Sequence, residues 1–167
     1  GRNEMALSAD VCKLQSLRML TADVRNWLPM LRDLPNLTYL SLLTNLRTFP
    51  GCVCDIPNLR ALAISGYFDS VPSAIEQLPN LKILLIKSPQ ITTIPDEIGQ
   101  LTNLRELSIY GTQIRAIPPI IGKLSELKKI SLLNNKLETV PDTFGNLTKL
   151  QSLRLNHNRI TSLPDVL

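Results

Sequence analysis

The sequence predicts a solenoid of short stacked repeats, and three observations support that prediction. An apolar-proline pair recurs at intervals that vary by a single residue, at Phe49-Pro50, Val71-Pro72, Ile94-Pro95, Ile117-Pro118, Val140-Pro141 and Leu163-Pro164. A leucine-spaced stretch precedes each pair, and three residues after each proline stand Val53, Ile75, Ile98, Ile121, Phe144 and Leu167. Because a unit of this length is too small to bury a core by itself, the units must stack on one another.

The repeat at residues 101–123 shows how one unit is expected to fold. Its inward apolar positions are Leu104, Leu107, Ile109, Ile114, Ile117 and Ile121. Leu107 and Ile109 flank Ser108, which is the alternation of a short strand with one buried face. Pro118 cannot donate a backbone hydrogen bond, so it ends the strand pairing and turns the chain. Gly122 then permits the bend into the next repeat.

The L-x-x-L-x-L spacing followed by a turn resembles the leucine-rich-repeat family. The outer L-P-x-x-I-G-x-L pattern is most similar to the 22–23-residue class of bacterial proteins, spirochaetes especially, and of Ras-group repeat proteins. The resemblance covers residues 34–167, as six repeats that start near positions 34, 56, 78, 101, 124 and 147. It implies a leucine-rich-repeat solenoid of the α/β class, a right-handed superhelix. A parallel β-sheet would line its concave face, with turns and short 3-10 segments on the convex face.

The two ends of the array depart from this pattern. In residues 1–33, Val11, Leu14, Leu17 and Met19 match one coil and Leu28-Pro29 is displaced by one residue, so we interpret this segment as a degenerate first repeat and N-terminal cap. No polar capping element precedes the end at Leu167, although solenoids generally cover their last apolar edge. Either the chain belongs to a longer protein or another copy covers this edge, as a weak homodimer.

The turn position also departs from the family. It usually holds Asn, whose side chain satisfies backbone groups in the bend. Here it is predicted to hold Asn45, Tyr67, Pro89, Thr112, Asn135 and Asn158 in successive repeats. The repeats that begin at Leu34 and Ile56 are one residue short between this turn and the proline pair. We therefore expect an irregular asparagine ladder.

The position after the first strand leucine places a row of cations on the predicted concave side. It reads Thr38, Arg60, Lys82, Arg105, Lys128 and Gln151. Like charges on neighbouring strands, about 4.8 Å apart, repel by roughly 1 kcal/mol or less in water, so this row does not stabilise the fold. It suggests an acidic protein partner. The competing interpretation is a soluble surface, with Glu106 beside the row.

The neighbouring concave columns contain apolar residues that are predicted to face solvent, namely Tyr39, Leu43, Ile83, Leu85, Tyr110 and Leu133. A contiguous apolar patch rimmed by Lys and Arg is typical of a protein-binding site. A one-residue slip would bury Ile83 and Leu85 but expose three other apolar residues, so we favour the patch. The predicted partner-binding residues are Tyr39, Leu43, Arg60, Lys82, Ile83, Leu85, Lys87, Arg105, Tyr110, Lys128, Leu133 and Arg154.

Composition argues against several other classes. The chain is 44% hydrophobic and 19% charged, as in folded proteins, and its net charge of +4 falls short of a nucleic-acid footprint. Its apolar runs are too short for a membrane span. The cysteines Cys12, Cys52 and Cys54 give no disulfide framework, and Cys-x-Cys is too short for the usual zinc pair, so we predict neither metal nor cofactor. One histidine, His157, and no phosphate loop or nucleophile motif indicate no enzyme.

The sequence therefore predicts a non-catalytic protein-protein interaction module that binds a partner on its concave face. Two alternatives stay open: a recognition segment of a larger enzyme or effector, and a secreted or surface adhesin that contacts host molecules. Gly1-Arg2-Asn3 does not resemble a native start, so a signal peptide could have been removed. The location would then be secreted or cell-surface, and otherwise cytoplasmic, which the cysteines favour mildly.

Overall fold

The structure, a computed structural model, describes residues 13–24 and 29–165 as a stack of coils. Seven strands form one parallel sheet in chain order: β1 (Met19–Val24), β2 (Tyr39–Thr44), β3 (Ala61–Ser65), β4 (Ile83–Lys87), β5 (Glu106–Tyr110), β6 (Lys129–Ser131) and β7 (Ser152–Arg154). A 3-10 segment follows each of β1–β6, at Pro29–Asp33, Gly51–Asp55, Ser73–Gln77, Asp96–Gln100, Pro119–Lys123 and Asp142–Asn146. The predicted solenoid, with strands on one face and short 3-10 segments on the other, is confirmed.

The strand register confirms the predicted change in repeat length. Tyr39 pairs with Ala61, and Ala61 pairs with Ile83. In each of these pairs, the two residues are one residue closer along the sequence than in the next two pairs, Ile83 with Glu106 and Glu106 with Lys129. The sheet stays in register because the residues of β2 and β3 pair without a gap.

In the repeat that begins at Leu34, the buried turn residue is Thr44. Thr44 lies as far before Pro50 as Thr112 lies before Pro118, so the residue is lost before the turn and not between the turn and the proline pair as predicted.

The proline of each of the first five pairs immediately precedes an outer 3-10 segment and supplies its first hydrogen-bond acceptor. In the fifth pair, the N–H of Phe144 donates to the carbonyl oxygen of Pro141 at 3.0 Å. The same bond joins Val53 to Pro50 and recurs in the three repeats between. Since the apolar donor of each bond is buried, one residue both closes the 3-10 turn and fills the core. The three-residue spacing between each proline and the apolar residue after it is therefore the spacing of an i to i+3 hydrogen bond.

The first repeat differs from its predicted pattern. Met19 and Leu14 were expected among its inward positions, yet their side chains are 63% and 52% exposed. Met19 pairs with Tyr39, which places it on the open face of the sheet, while Leu20 and Ala22 pack against the core. The step from Met19 to Tyr39 is shorter than any later step between paired strands, which the predicted period did not anticipate. The predicted cap residues Val11 and Leu28 lie outside the described residues, as does Leu167.

Asn135 shows how one coil satisfies the backbone of its neighbour. Its Nδ2 donates to the carbonyl oxygens of Ile109 at 2.8 Å and Leu132 at 2.9 Å. Its Oδ1 accepts from the N–H of Thr112 at 3.0 Å and from the Thr112 hydroxyl at 2.6 Å. Asn158 repeats this pattern one coil later, against Leu132 and its own coil. The predicted turn residues Thr112, Asn135 and Asn158 are confirmed.

The turn positions predicted for the three earlier repeats, Asn45, Tyr67 and Pro89, are wrong. All three side chains are exposed, and the buried polar residue in two of these turns comes one position earlier. The Thr44 hydroxyl accepts from the N–H of Leu46 at 3.1 Å, and the Ser88 hydroxyl donates to the carbonyl of Phe68 at 2.5 Å. A hydroxyl on a shorter side chain therefore replaces asparagine, because the chain bends one residue sooner in these coils.

The later turns share a second local requirement. Gly111, Asn134 and His157 have φ angles of 65°, 55° and 59°, and each immediately precedes the inward polar residue of its turn. This left-handed conformation suits Gly best and Asn next among common residues. His157 follows β7 in this bend and is exposed.

We expect Asn135→Ala to lower the free energy of unfolding by about 2–4 kcal/mol, because it leaves buried backbone groups of two coils without partners. Asn156→Ala, at an exposed asparagine near the same end of the stack, should change it by no more than about 0.5 kcal/mol. Urea unfolding of both variants measures the difference. Equal losses would show that the buried asparagine does not hold adjacent coils together.

Candidate functional site

The parallel register aligns three columns of side chains on the open, concave face of the sheet. The first column is Met19, Tyr39, Ala61, Ile83, Glu106, Lys129 and Ser152. The second contains Thr21, Ser41, Ala63, Leu85, Ser108, Ser131 and Arg154, and the third contains Asp23, Leu43, Ser65, Lys87 and Tyr110. These residues alternate with the buried leucines, so the strand residues of the predicted site lie on the face where they were expected.

An apolar patch occupies the first four strands of this face. We define it as Met19, Tyr39, Leu43, Ala61, Ala63, Ile83 and Leu85. Leu43 and Ile83 are 57% and 41% exposed, while Tyr39 and Leu85 are half-buried. Ala61 and Ala63 are small, so β3 forms a shallow floor between larger side chains on β2 and β4. The patch exposes apolar carbon that the core does not require, which is the property of a contact surface.

Two predicted members of the patch lie apart from it. Tyr110 is on β5, where the Nζ of Lys87 lies 5.6 Å from the centre of its ring. Leu133 follows β6 and is half-buried. The apolar surface is thus shorter than predicted along the sheet, but it extends further toward the N-terminal coil through Met19.

The predicted row of cations lies one residue before the strands, on the rim of the sheet. We define the basic rim as Arg60, Lys82, Arg105 and Lys128. Each member from Lys82 on donates its N–H to the carbonyl of the member before it, at 2.8 Å, so the side chains are aligned by the backbone. Among the described residues, no carboxylate lies within 4.0 Å of any of these four cationic groups.

Carboxylates near the rim are engaged elsewhere. Glu106 Oε1 accepts from Lys129 Nζ at 2.9 Å. Glu126 accepts from the Lys149 ammonium, and this hydrogen bond, with the charge of Lys149, holds the pKa of Glu126 below its ordinary value. Arg105 and Lys128 add smaller contributions in the same direction. The rim therefore keeps a positive charge that neighbouring side chains offset only in part.

Cys52 and Cys54 are buried in the outer 3-10 segment Gly51–Asp55, on either side of Val53. Burial raises the pKa of the Cys52 thiol to about 11 and that of Cys54 to about 12, and the charge of Asp55 adds to both shifts. Such thiols are protonated at neutral pH and pack as small apolar groups. Cys12 lies outside the described residues. Across residues 13–24 and 29–165, no three potential metal-binding side chains are grouped together.

A shallow cavity of about 550 Å³ lies on one flank of the solenoid, away from the concave face. Ile94, Ile117 and Pro118 contribute apolar walls, and Lys136 and Arg159 contribute cations. In the part of the chain that the structure describes, no helix has the length and apolar character needed to cross a membrane.

A family model described as a leucine-rich repeat region matches residues 57–167. The chain belongs to the leucine-rich-repeat family. No curated protein sequence matches it. Among solved structures, a leucine-rich-repeat protein of Leptospira interrogans superposes with a TM-score of 0.88 and 34% identity over 94% of this chain. This similarity agrees with the predicted resemblance to spirochaete repeats.

Two more distant structures show the same fold. An internalin of Listeria monocytogenes gives a TM-score of 0.70 at 20% identity over 92% of this chain. The plant peptide hormone receptor RGFR1, solved in complex with RGF2, gives 0.63 at 23% identity over 89%. The chain spans 41%, 49% and 30% of the lengths of these three proteins.

We expect Cys52 and Cys54 to resist thiol reagents in the folded protein. A Cys12→Ser chain, in which only these two thiols remain, should react with a disulfide reagent at pH 8 about a hundredfold more slowly than after unfolding. Rapid reaction of both thiols in the folded chain would contradict the assigned burial.

We also expect these two thiols to make the folded chain less stable at alkaline pH. The pKa values of these thiols in the folded chain exceed the ordinary value of 9.0. Their contribution to the free energy of unfolding is therefore complete below about pH 9, and it is lost as the pH rises from there through 11 to 12. Unfolding at pH 8 and pH 10.5, compared with a Cys52→Ala, Cys54→Ala chain, measures the part that belongs to the thiols. An equal pH dependence in both chains would contradict the assignment.

Proposed function

We propose that this protein is a non-catalytic interaction module that binds a protein partner on its concave face. The observation that supports the proposal best is the apolar patch, because Leu43 and Ile83 expose aliphatic side chains on a sheet whose other face already supplies the core. Leucine-rich repeats are protein-interaction scaffolds as a family, and the plant peptide hormone receptor RGFR1 was solved in complex with RGF2. The basic rim beside the patch favours a partner with acidic groups.

Two features of the described residues favour binding over catalysis. His157, the only histidine in the sequence, is exposed in a turn, and among the described residues its ring makes no hydrogen bond to the nearby hydroxyls of Thr161 and Ser162. The thiols that could act as nucleophiles are buried with raised pKa values. A binding module needs none of these groups.

The chain spans less than half of the Leptospira protein and of the internalin, and this favours one variant of the proposal. The repeats would then be the recognition part of a larger effector or of a surface protein that contacts host molecules. In either setting the concave face performs the binding.

We expect Leu43→Glu combined with Ile83→Glu to abolish partner binding while the thermal midpoint changes little, since both side chains are exposed. The matched control is Gln77→Glu with Gln100→Glu, which adds the same charge on the outer 3-10 segments. Quantitative pull-down from a lysate compares the two variants with the unaltered chain. Equal recovery of partners by all three would exclude the apolar patch as the site.

We also propose that copies of this chain associate weakly through the last described coil. Among the described strands, β7 pairs only with β6, and Leu153, Leu155 and Ile160 are half-buried beside the exposed Leu163. An apolar edge of a sheet favours pairing with another copy.

Sedimentation of this chain should therefore show a mass that approaches twice 18.6 kDa as concentration rises. Leu155→Lys should shift the chain toward the monomer, because a charge on the edge opposes pairing. A monomer at every concentration up to the millimolar range would contradict self-association.

A further inference from the structure

The concave face is divided chemically along the axis of the solenoid. The apolar patch covers β1–β4, where Asp23 of β1 adds a carboxylate to the third column and Arg60 lies on the rim beside β3. From β4 to β7, the rim and the concave columns contain six cations, Lys82, Lys87, Arg105, Lys128, Lys129 and Arg154. One carboxylate, Glu106, lies among them.

Only two of these six cations have a partner among the described residues. Lys129 is paired with Glu106, and Lys87 lies over the ring of Tyr110. Arg105, Lys128 and Arg154 have no carboxylate within 4.0 Å among the described residues. Cations repeated on strands about 4.8 Å apart repel one another, so the free protein carries a cost that an acidic ligand would remove.

We propose that this face binds one linear segment of a partner protein in a fixed direction. The apolar side chains of the segment would pack on the apolar patch, and its Asp and Glu side chains would lie over β5–β7. This inference rests on the proposed function and adds to it the chemistry and the polarity of the bound segment. Apolar burial supplies the anchor, and the charges determine which end lies where.

The dimensions of the face determine the length of the segment. Seven strands about 4.8 Å apart span roughly 29 Å, and the four strands of the apolar patch span roughly 14 Å. An extended chain that advances about 3.3 Å per residue crosses the whole face in about nine residues. About four of these would be apolar residues at one end, and the acidic residues would follow at the other end.

A display library of random peptides tests the inference without knowledge of the natural partner. Peptides of about 12 residues span the face with residues to spare. We expect selection on the folded chain to enrich sequences with Leu, Ile, Met or aromatic residues at one end and Asp or Glu at the other. A photoreactive group at the apolar end should cross-link to β1–β4, and the same group at the acidic end to β5–β7.

Charge reversal provides the matched comparison. Arg105→Glu with Arg154→Glu should weaken binding of a selected peptide by about tenfold or more, and added salt should weaken binding to the unaltered chain. Lys136→Glu with Arg159→Glu makes the same change of charge on the flank cavity and should alter binding less than about twofold. Thermal midpoints of both variants verify that they fold.

The outcomes separate this inference from the proposed function. Peptides that need Leu43 and Ile83 but have no acidic end, or that cross-link in both directions, would overturn the inference and leave concave-face binding intact. Peptides that are insensitive to Leu43→Glu with Ile83→Glu, or no enrichment at all, would overturn both. A single-stranded oligonucleotide that binds as tightly, with the same loss on Arg105→Glu and Arg154→Glu, would identify a nucleic-acid surface instead and would also overturn the inference.

Discussion

Each coil of this protein depends on its neighbours to satisfy both its apolar side chains and its backbone. A single repeat has too little interior to exclude water from its own leucines. Its turn also leaves carbonyl and N–H groups that cannot pair within the coil. Asn135 shows the solution, because one side chain bonds Ile109 and Thr112 in the preceding coil as well as Leu132 in its own. Stability is therefore shared between adjacent coils.

The proposed binding surface follows from this constraint. The inward positions of each repeat must hold Leu, Ile or Phe, and the prolines must precede the outer segments. The strand residues between the leucines are not restricted in this way, since they point to the open side of the sheet. Seven copies of that free position lie in register, so a change of residue in one repeat places a chosen side chain beside those of its neighbours. Ile83 and Arg154 can thus differ in chemistry without any change in the fold.

The periodic pattern of the sequence predicted the structure correctly wherever the local geometry repeats. The fold, the strand register from β2 to β7 and the shorter repeats near residues 34 and 56 could all be predicted, because alternation and the i to i+3 bond at proline are local rules. The placement of Leu43 and Ile83 on the concave face followed from the same alternation. Their role in binding is a proposal, since exposure alone does not identify a partner.

Prediction was less accurate where local geometry differs between coils. Met19 was assigned inward by its spacing from Leu17, but pairing with Tyr39 places it on the open face. Thr44 and Ser88, rather than Asn45 and Pro89, enter the turns of the earlier coils, because the bend there comes one residue sooner. A slip of one position is invisible in a repeat pattern whose own length varies by one residue.

The sequence by itself determined the architecture, the inward leucines and the alternate residues that face solvent, since these depend on spacing along the chain. Only the tertiary structure decided that the apolar patch reaches Met19 on β1, and which of the concave-face cations have a partner in the free protein. Those facts depend on which residues of separate repeats become neighbours, and on which of them, such as Lys129 and Glu106, neutralise each other. Distances between coils are set by stacking, and no single repeat encodes them.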